Sequence, residues 1–267
     1  MALRLPMFPG MTDAPVYIAS DQHLGSAPPE MAAAFHDWLE FAAGRAGLIF
    51  LNGDLFDYWF EYGTVIPRGH TRTLGLLARI VDAGIPVHLM GGNHDWWGGS
   101  YLTDEVGVTF HQDPVRMELA GHRCFLAHGD GLGRGDLGYL ILRWILRERL
   151  TRFAFRWLHP DLGTAIARRV SRTEHRMASD DPRILARSKA LEGWARDLLL
   201  EEEDLDHVFL GHTHLPRRVE VAPGRFYLNS GDWLRNGSYV VLDRGDPPRL
   251  EIWEDAQALP SGGPTPG

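Results

Sequence analysis

The chain has 267 residues, of which 44% are hydrophobic and 23% are charged, and its formal net charge is −8. This composition is ordinary for a globular enzyme. The single cysteine excludes an intramolecular disulfide and is typical of a reducing compartment. The first 15 residues contain no continuous apolar stretch, so they indicate neither a signal peptide nor a transmembrane helix. We therefore expect a cytoplasmic protein.

The charge is unevenly distributed along the chain. Residues 134–200 contain 14 basic and eight acidic residues, a balance of +6, whereas the rest contains 13 basic and 27 acidic residues, a balance of −14. An acidic body with a basic insert predicts an anionic ligand held at the insert. A solvated, salt-bridged helical surface is the alternative. We expect no nucleic-acid partner.

The first third of the chain alternates between predicted strands and helices. Apolar runs predict strands at 16–19, 48–51 and 87–90, and apolar residues at helical spacing predict helices at 30–45 and 71–82. This alternation predicts an α/β protein with a parallel sheet.

From residue 108 the pattern changes to strands without intervening helices. Residues 115–119 and 122–127 flank an Ala-Gly turn and predict an antiparallel hairpin. A long helical segment is predicted at 136–203. Further strands are predicted at 207–210, 218–221, 225–229, 238–243 and 249–253.

These elements predict a core formed by two separated parts of the chain. The core comprises residues 1–133 and 204–254, and residues 134–203 form a helical cap inserted between them. The proline-rich tail at 255–267 is expected to be disordered.

Polar side chains follow five of the predicted strands, at the point where each strand ends. The carboxyl ends of strands in such sheets are where ligand sites form. Two Asp, one Asn and four His suit divalent transition metals, because imidazole selects against magnesium and calcium. Seven groups are too many for one ion and fit two, with Asp54 as the bridge, whereas the eight histidines outside these motifs are expected to be structural. The seven predicted ligands are Asp21, His23, Asp54, Asn93, His128, His212 and His214.

The same motifs resemble the five sequence blocks of the calcineurin-like metallophosphoesterases. The blocks are complete, in order, and read Asp21-x-His23, Gly53-Asp54-x-x-Asp57, Gly92-Asn93-His94-Asp95, His128-Gly129-Asp130 and Gly211-His212-Thr213-His214. The resemblance implies a four-layer αββα sandwich with a two-metal site at the sheet edges. Manganese is the implied working metal, with iron or zinc as alternatives. It also implies one metal on Asp21, His23, Asp54 and His214, and another on Asp54, Asn93, His128 and His212.

Two bound cations would activate a water molecule and neutralise charge on the phosphoryl oxygens. His94, beside the ligand Asn93, is then the predicted general acid for the leaving oxygen. Asp57 is predicted to orient His94. The alternative for Asp57 is a carboxylate that caps a turn or helix.

A narrower resemblance covers the middle of the chain. Residues 53–60, 128–133 and 157–163 resemble the UDP-2,3-diacylglucosamine pyrophosphohydrolases of lipid A synthesis and their close relatives. That family implies hydrolysis of a UDP-linked diacylated sugar to UMP and the acylated sugar 1-phosphate. One departure is His94, where the best-known branch has arginine. A nucleotide or other small-molecule phosphodiesterase stays open as the alternative, because the same metal centre serves it.

The predicted cap carries more apolar and basic side chains than packing on one face requires. Apolar residues within 140–158 are expected to line an acyl pocket or to contact the inner membrane peripherally, with packing on the core as the alternative. Three arginines spaced by four fall on one helix face and are expected to contact phosphate, with a solvated face as the alternative. The expected substrate-binding residues are Arg134, Trp157, Arg168, Arg172 and Arg176.

Overall fold

The computed structural model describes residues 13–133, 143–171 and 182–254, except for the side chains of 167–171. Within these ranges the chain forms eleven strands, five longer α-helices, a short helical stretch at 143–147 and a π-helix, Tyr101–Glu105. The helices are α1 (Pro29–Ala43), α2 (Thr71–Asp82), α3 (Arg149–Arg156), α4 (Pro160–Ser171) and α5 (Pro182–Glu201). The strands are β1 (Val16–Ala19), β2 (Leu48–Leu51), β3 (Val87–Met90), β4 (Thr109–His111), β5 (Val115–Leu119), β6 (His122–Leu126), β7 (His207–Leu210), β8 (Arg217–Ala222), β9 (Arg225–Asn229), β10 (Ser238–Leu242) and β11 (Arg249–Ile252).

The strands form two sheets whose central strands are parallel. The first sheet has the order β11-β10-β1-β2-β3-β4, in which β1 to β4 are parallel to one another and β10 is antiparallel to β1. The second has the order β5-β6-β7-β9-β8, in which β6, β7 and β9 are parallel. The hairpin of β5 and β6 is antiparallel, as the sequence predicts.

The two sheets and their helices make four layers. The helices α1 and α2 cover the outer face of the first sheet, where Trp38 and Leu77 are buried against Ile49 and its neighbours. Between the sheets, Phe50 belongs to a second apolar cluster with Leu126 and other residues of the second sheet. Helix α5 covers the outer face of that sheet. The predicted αββα sandwich is therefore confirmed.

Helix α5 packs on the second sheet. Leu191, Ala195 and Leu199 are fully buried and pack in one cluster with Val208 and Tyr227 of the second sheet. Because these contacts form one face of the sandwich, α5 is a layer of the core, although it lies within the predicted cap at 134–203. The helices that stand outside the layers are the turns at 143–147, α3 and α4.

The helical segment predicted at 136–203 is interrupted. Residues 157–159 are not helical, and Pro160 begins the next helix, which is the position where proline is best tolerated. Residues 134–142, 172–181 and the predicted tail at 255–267 lie outside the described residues. Across the part of the chain that is described, we find no helix that combines the length and the apolar character needed to cross a bilayer.

Candidate metal centre

The seven predicted ligands come together at one edge of the sandwich. They follow the carboxyl ends of β1, β2 and β3 in the first sheet and of β6 and β7 in the second. The two sheets present these ends side by side, so the loops after them face a common space. Three groups of side chains in the described chain have ligand atoms within 4.8 Å of one another, and one of them combines His23 with Asp57 and His94. The other two consist of predicted ligands alone: Asp21, His23 and His214 in the first, and Asp54, His128 and His212 in the second.

The first group is centred on two histidines whose Nε2 atoms face each other. The Nε2 atoms of His23 and His214 are 3.3 Å apart, and His214 Nε2 is 3.4 Å from an oxygen of Asp21. His23 Nε2 is also 3.7 Å from Asp54 Oδ2. All four side chains are almost completely buried. The set provides two imidazoles and two carboxylates to one point.

The second group shares Asp54 with the first. The Oδ2 atom of Asp54 is 3.1 Å from His128 Nε2. On the open side of the group, His212 Nδ1 is 3.0 Å from the side-chain oxygen of Asn93, and both residues are partly exposed. The carboxylate of Asp54 therefore lies between the two groups, where a bridging ligand must be.

Backbone conformation sets the candidate ligands apart from the rest of the described chain. Six non-glycine residues there have positive φ, and five of them are predicted ligands, with φ between 45° and 69°. A left-handed conformation is costly for such residues and persists where the surroundings enforce it, often at functional sites. The five are Asp21, His23, Asp54, His212 and His214.

The pocket between the ligands is shaped for ions. Asp54 Oδ2 and His128 Nε2 are buried 3.1 Å apart, and beyond this contact neither atom has a hydrogen-bond partner among the described residues, a state that a bound cation would relieve. The backbone leaves no space beside them, because a Cβ atom at Gly53 would overlap His128 and one at Gly92 would overlap Asp54. Imidazole, carboxylate and amide oxygen together suit a divalent transition metal. The residues present therefore fit a dinuclear centre.

The electrostatics of the bare ligand set point the same way. Burial disfavours the charged forms of both Asp54 and His128, but their attraction to each other outweighs it. The pKa of Asp54 is held well below its usual value, and the pKa of His128 is raised to about 10. Without metal, a proton on His128 thus compensates the negative charge of Asp54. A cation that binds there displaces this proton.

His94 is held at the edge of this centre by Asp57. Its Nδ1 atom is 2.7 Å from the main-chain carbonyl oxygen of Asp57 and 3.6 Å from the carboxylate. A carbonyl only accepts, so Nδ1 is the donor and Nε2 is left to face Asp54 Oδ2 at 3.9 Å. The carboxylate of Asp57 also lies 3.5 Å from His23 Nδ1. The predicted contact between Asp57 and His94 thus runs first through the main chain.

Two further carboxylates support the ligands and were not singled out by the sequence. Asp95 is completely buried and accepts backbone N–H groups of Asp54, Phe56 and Gly92, which ties the two ligand loops together. Asp232, also completely buried, lies 3.4 Å from His214 Nδ1. The signal for Asp95 is its place in the third motif, whereas Asp232 belongs to a plain Gly-Asp pair, Gly231-Asp232, with no metal-binding pattern.

Of the five predicted substrate-binding residues, Trp157 alone has a described side chain. Arg134, Arg172 and Arg176 lie outside the described residues, and for Arg168 only the backbone of α4 is described. Trp157 is 78% exposed.

A different set of arginines faces the core. Arg149, Arg152 and Arg156, one stripe of α3, line a cavity of about 510 Å³ together with Phe60 and Trp97. Because Phe60 and Trp97 follow Asp57 and His94 by three residues each, the cavity is built on the loops that carry those two residues.

The cap is anchored beside this cavity by aromatic contacts. The ring of Phe155 lies 4.9 Å from that of Phe60 and 4.8 Å from that of Trp97, measured between centroids. A second anchor is ionic: Arg143 and Arg147 both lie 2.9 Å from the buried carboxylate of Asp130.

Comparison with known proteins agrees with this geometry. The family of calcineurin-like phosphoesterases matches residues 14–216. A UDP-2,3-diacylglucosamine hydrolase from Porphyromonas gingivalis is 33% identical over 91% of this chain and 98% of its own. One from Pseudomonas putida is 32% identical over 85% of this chain and 95% of its own. A dimetal phosphatase from Danio rerio aligns with 90% of this chain and 99% of its own, at 13% identity and a TM-score of 0.40, a likeness too low to support an inference.

The family match contains all five motifs, and the motifs converge on one buried site with the donor atoms of two cations. The chain therefore belongs to the calcineurin-like phosphoesterases and is a metal-dependent phosphohydrolase.

Proposed function

We propose that the protein hydrolyses the pyrophosphate of UDP-2,3-diacylglucosamine to UMP and 2,3-diacylglucosamine 1-phosphate. The observation that carries this proposal is the complete ligand set beside a cavity of aromatic rings and arginines. Relatives that bear the name of this activity share 30–33% of their residues with the chain over most of its length. Manganese is the metal we propose for the centre, with iron or zinc as alternatives.

The metal centre, His94 and Asp57 have separate roles in the proposed reaction. Bound divalent cations would supply Lewis-acid stabilisation of the phosphoryl charge and an ionised water as nucleophile. His94 gives a proton from Nε2 to the oxygen that leaves phosphorus. The main-chain carbonyl oxygen of Asp57 accepts a hydrogen bond from His94 Nδ1, and its carboxylate lies 3.6 Å from the same atom, so the two groups hold the ring with Nε2 toward the metal centre.

The cavity beside α3 is the proposed place for the rest of the substrate. Its arginines offer guanidinium groups to phosphate oxygens, and Phe60 and Trp97 offer apolar surface. Glu61, which also lines the cavity, does not repel an anion strongly, because its carboxylate accepts backbone N–H groups of Gly99 and Tyr101.

We also propose that α3 brings the enzyme to the surface of a membrane. This helix has no buried residue, and Leu150, Phe153 and Trp157 form an exposed stripe along it, each more than 60% exposed. Such a stripe next to arginines is typical of peripheral attachment to anionic lipid. The acylated substrate would then be taken from the bilayer in which it dissolves.

The direct test compares two UDP-sugars with purified protein and Mn²⁺. UDP-2,3-diacylglucosamine should yield UMP and the acylated sugar 1-phosphate. UDP-N-acetylglucosamine, which lacks the two long chains, should react with kcat/KM lower by about a hundredfold or more, since that ratio corresponds to only about 2.7 kcal/mol of lost binding.

A small nitrophenyl phosphodiester serves as the control for the metal centre, because it needs no acyl pocket. Equal rates for the acylated and the plain UDP-sugar would favour a nucleotide phosphodiesterase. Turnover of the nitrophenyl compound without cleavage of either UDP-sugar would leave the metal centre intact and refute the proposed substrate.

A further inference from the structure

The connection between β9 and β10 is buried although it is a turn. At residues 230–237 the chain passes from the second sheet to the first. Ser230, Asp232, Trp233 and Leu234 are each at most 2% exposed there. Trp233 packs on Trp38 of α1, with ring centroids 5.2 Å apart. A buried polar connection of this kind needs partners, and it finds them among the candidate ligands.

The connection contacts Asp21 in two ways. The hydroxyl of Ser20 donates to the Asp21 carboxylate over 2.5 Å and lies 2.7 Å from the hydroxyl of Ser230. The backbone N–H of Trp233 donates to the carbonyl oxygen of Asp21 over 3.1 Å. Residues 230–233 thereby stabilise the left-handed backbone conformation of Asp21.

The same connection contacts His214. One oxygen of Asp232 is 3.4 Å from His214 Nδ1. Its other oxygen accepts the backbone N–H groups of Arg235 and Asn236, which fixes the direction of the carboxylate. The side chain of Asn236 also donates to the His214 carbonyl oxygen over 3.1 Å.

The ligand histidines His23, His214 and His128 differ in the group that lies next to Nδ1. Behind His23, the Asp57 carboxylate is 3.5 Å from Nδ1, and behind His214 the Asp232 carboxylate occupies the same place. Behind His128, Nδ1 faces the neutral carbonyl oxygen of Asn52 at 3.1 Å, and no carboxylate oxygen of the described chain lies within 4 Å of that atom. A carboxylate makes an imidazole a stronger donor and compensates the charge of the cation, which a carbonyl does less well.

We propose that Asp232 is a positioning residue for His214, and that it makes the cation position on Asp21, His23 and His214 the tighter of the two. The Asp232 carboxylate favours the His214 tautomer with the proton on Nδ1. In that tautomer Nε2, which lies 3.4 Å from Asp21, has a lone pair for the cation. The inference rests on the metal centre and holds whether or not the substrate is acylated.

The test is a Mn²⁺ titration of metal-free protein, in which free Mn²⁺ is measured by electron paramagnetic resonance. Wild type should bind two equivalents in two steps. Asp232→Asn keeps the oxygen that accepts the N–H groups and removes the charge, so it should weaken the tighter step by about 10- to 100-fold. The weaker step should change by less than about threefold, and Asp232→Glu should recover part of the loss.

Asn236→Ala is the matched control, because it removes the side-chain hydrogen bonds from Asn236 to the His214 carbonyl oxygen and to Asp232 Oδ1 but keeps the carboxylate and the two backbone N–H groups that orient it. It should leave both steps unchanged. An equal loss in both steps, no loss in either, or the same loss in Asn236→Ala would overturn the proposal.

Should metal-free Asp232→Asn not fold, nitrogen NMR of wild-type histidines decides the question. A proton on His214 Nδ1 supports the proposal, and its absence contradicts it.

Discussion

His94 is held by the main chain as well as by a side chain. The carbonyl oxygen of Asp57 accepts from Nδ1, so the orientation of the ring does not depend on the carboxylate alone. The backbone N–H of His94 donates to Asp54 Oδ1 over 2.9 Å, and its carbonyl oxygen accepts from the N–H of Trp59 over 3.1 Å. A ring fixed at this many points is suited to transfer a proton along one direction.

At this scale, His94→Ala should retain both metals and lose rate. With a poor leaving group the loss in kcat should be on the order of 10²–10⁴. With nitrophenolate, which leaves without a proton, it should be much smaller. Rates for both substrates, together with metal content by elemental analysis, check the prediction. An equal loss for both leaving groups would assign His94 to binding.

Among the elements, α3 has the most unusual surface. Its arginines at positions 149, 152 and 156 point into the cavity, and its apolar stripe at 150, 153 and 157 is exposed. Burial of one large apolar side chain contributes about 1.5–3 kcal/mol, so insertion of the stripe would be enough for the reversible attachment to a bilayer that we propose.

The prediction for this element concerns vesicles of phosphatidylethanolamine and phosphatidylglycerol. Wild type should co-sediment with them, and the double variant Leu150→Ser, Trp157→Ser should bind at least about tenfold more weakly, since it loses two such contacts. Leu185→Ser on α5 is the control, because Leu185 is also exposed but lies away from the stripe. Equal binding of all three proteins would refute attachment through α3.

Across the whole molecule, neutral histidines are buried in both sheets. Burial lowers the pKa of His88 on β3 and of His207 on β7 to about 4 each. In the unfolded chain the pKa of a histidine is near 6.5. Between that pH and about 4, the unfolded state therefore binds protons at these two histidines and the folded state does not. Their contribution to stability is complete above about pH 6.5 and is lost as the pH falls toward 4.

Each such histidine should therefore lower the free energy of unfolding by about 2 kcal/mol between pH 7.5 and pH 5. His207 is the better one to change, because no side chain of the described residues makes a hydrogen bond to its ring nitrogens. Urea unfolding of wild type and His207→Leu at both pH values gives the free energy of unfolding of each protein, and the difference between the two pH values is the loss on acidification. The variant should lose less stability on acidification, whereas identical losses would show that His207 titrates normally in the folded protein.

The sequence was most informative where local chemistry and periodicity agree. The ends of β1, β2, β3, β6 and β7 could be placed because an apolar run stops at a carboxylate, amide or imidazole. Helix α2 was predicted with the bounds that the structure gives, Thr71–Asp82, because a glycine and a proline follow it closely.

Contacts between elements that are far apart in the chain could not be predicted from the sequence in the same way. Leu191, Ala195 and Leu199 repeat every four residues and predict a buried face, but nothing local says that the second sheet covers it. Arginine stripes at 149–156 and at 168–176 have similar spacing, and only tertiary structure shows that the first lines a cavity. Asp232 lies 18 residues after His214 along the chain, so its contact with that ring has no sequence signature.

The order of the strands also determines when the centre can be completed during synthesis. β1 carries Asp21 and His23 near the start of the chain, but its neighbour β10 is made more than 200 residues later. Until the ribosome has released residues 230–242, β1 lacks one flanking strand and His214 lacks the carboxylate behind it. The nascent chain therefore holds all seven donors before it holds the segment that positions Asp21 and His214, so we expect an ordered centre only after residues 230–242 have been made.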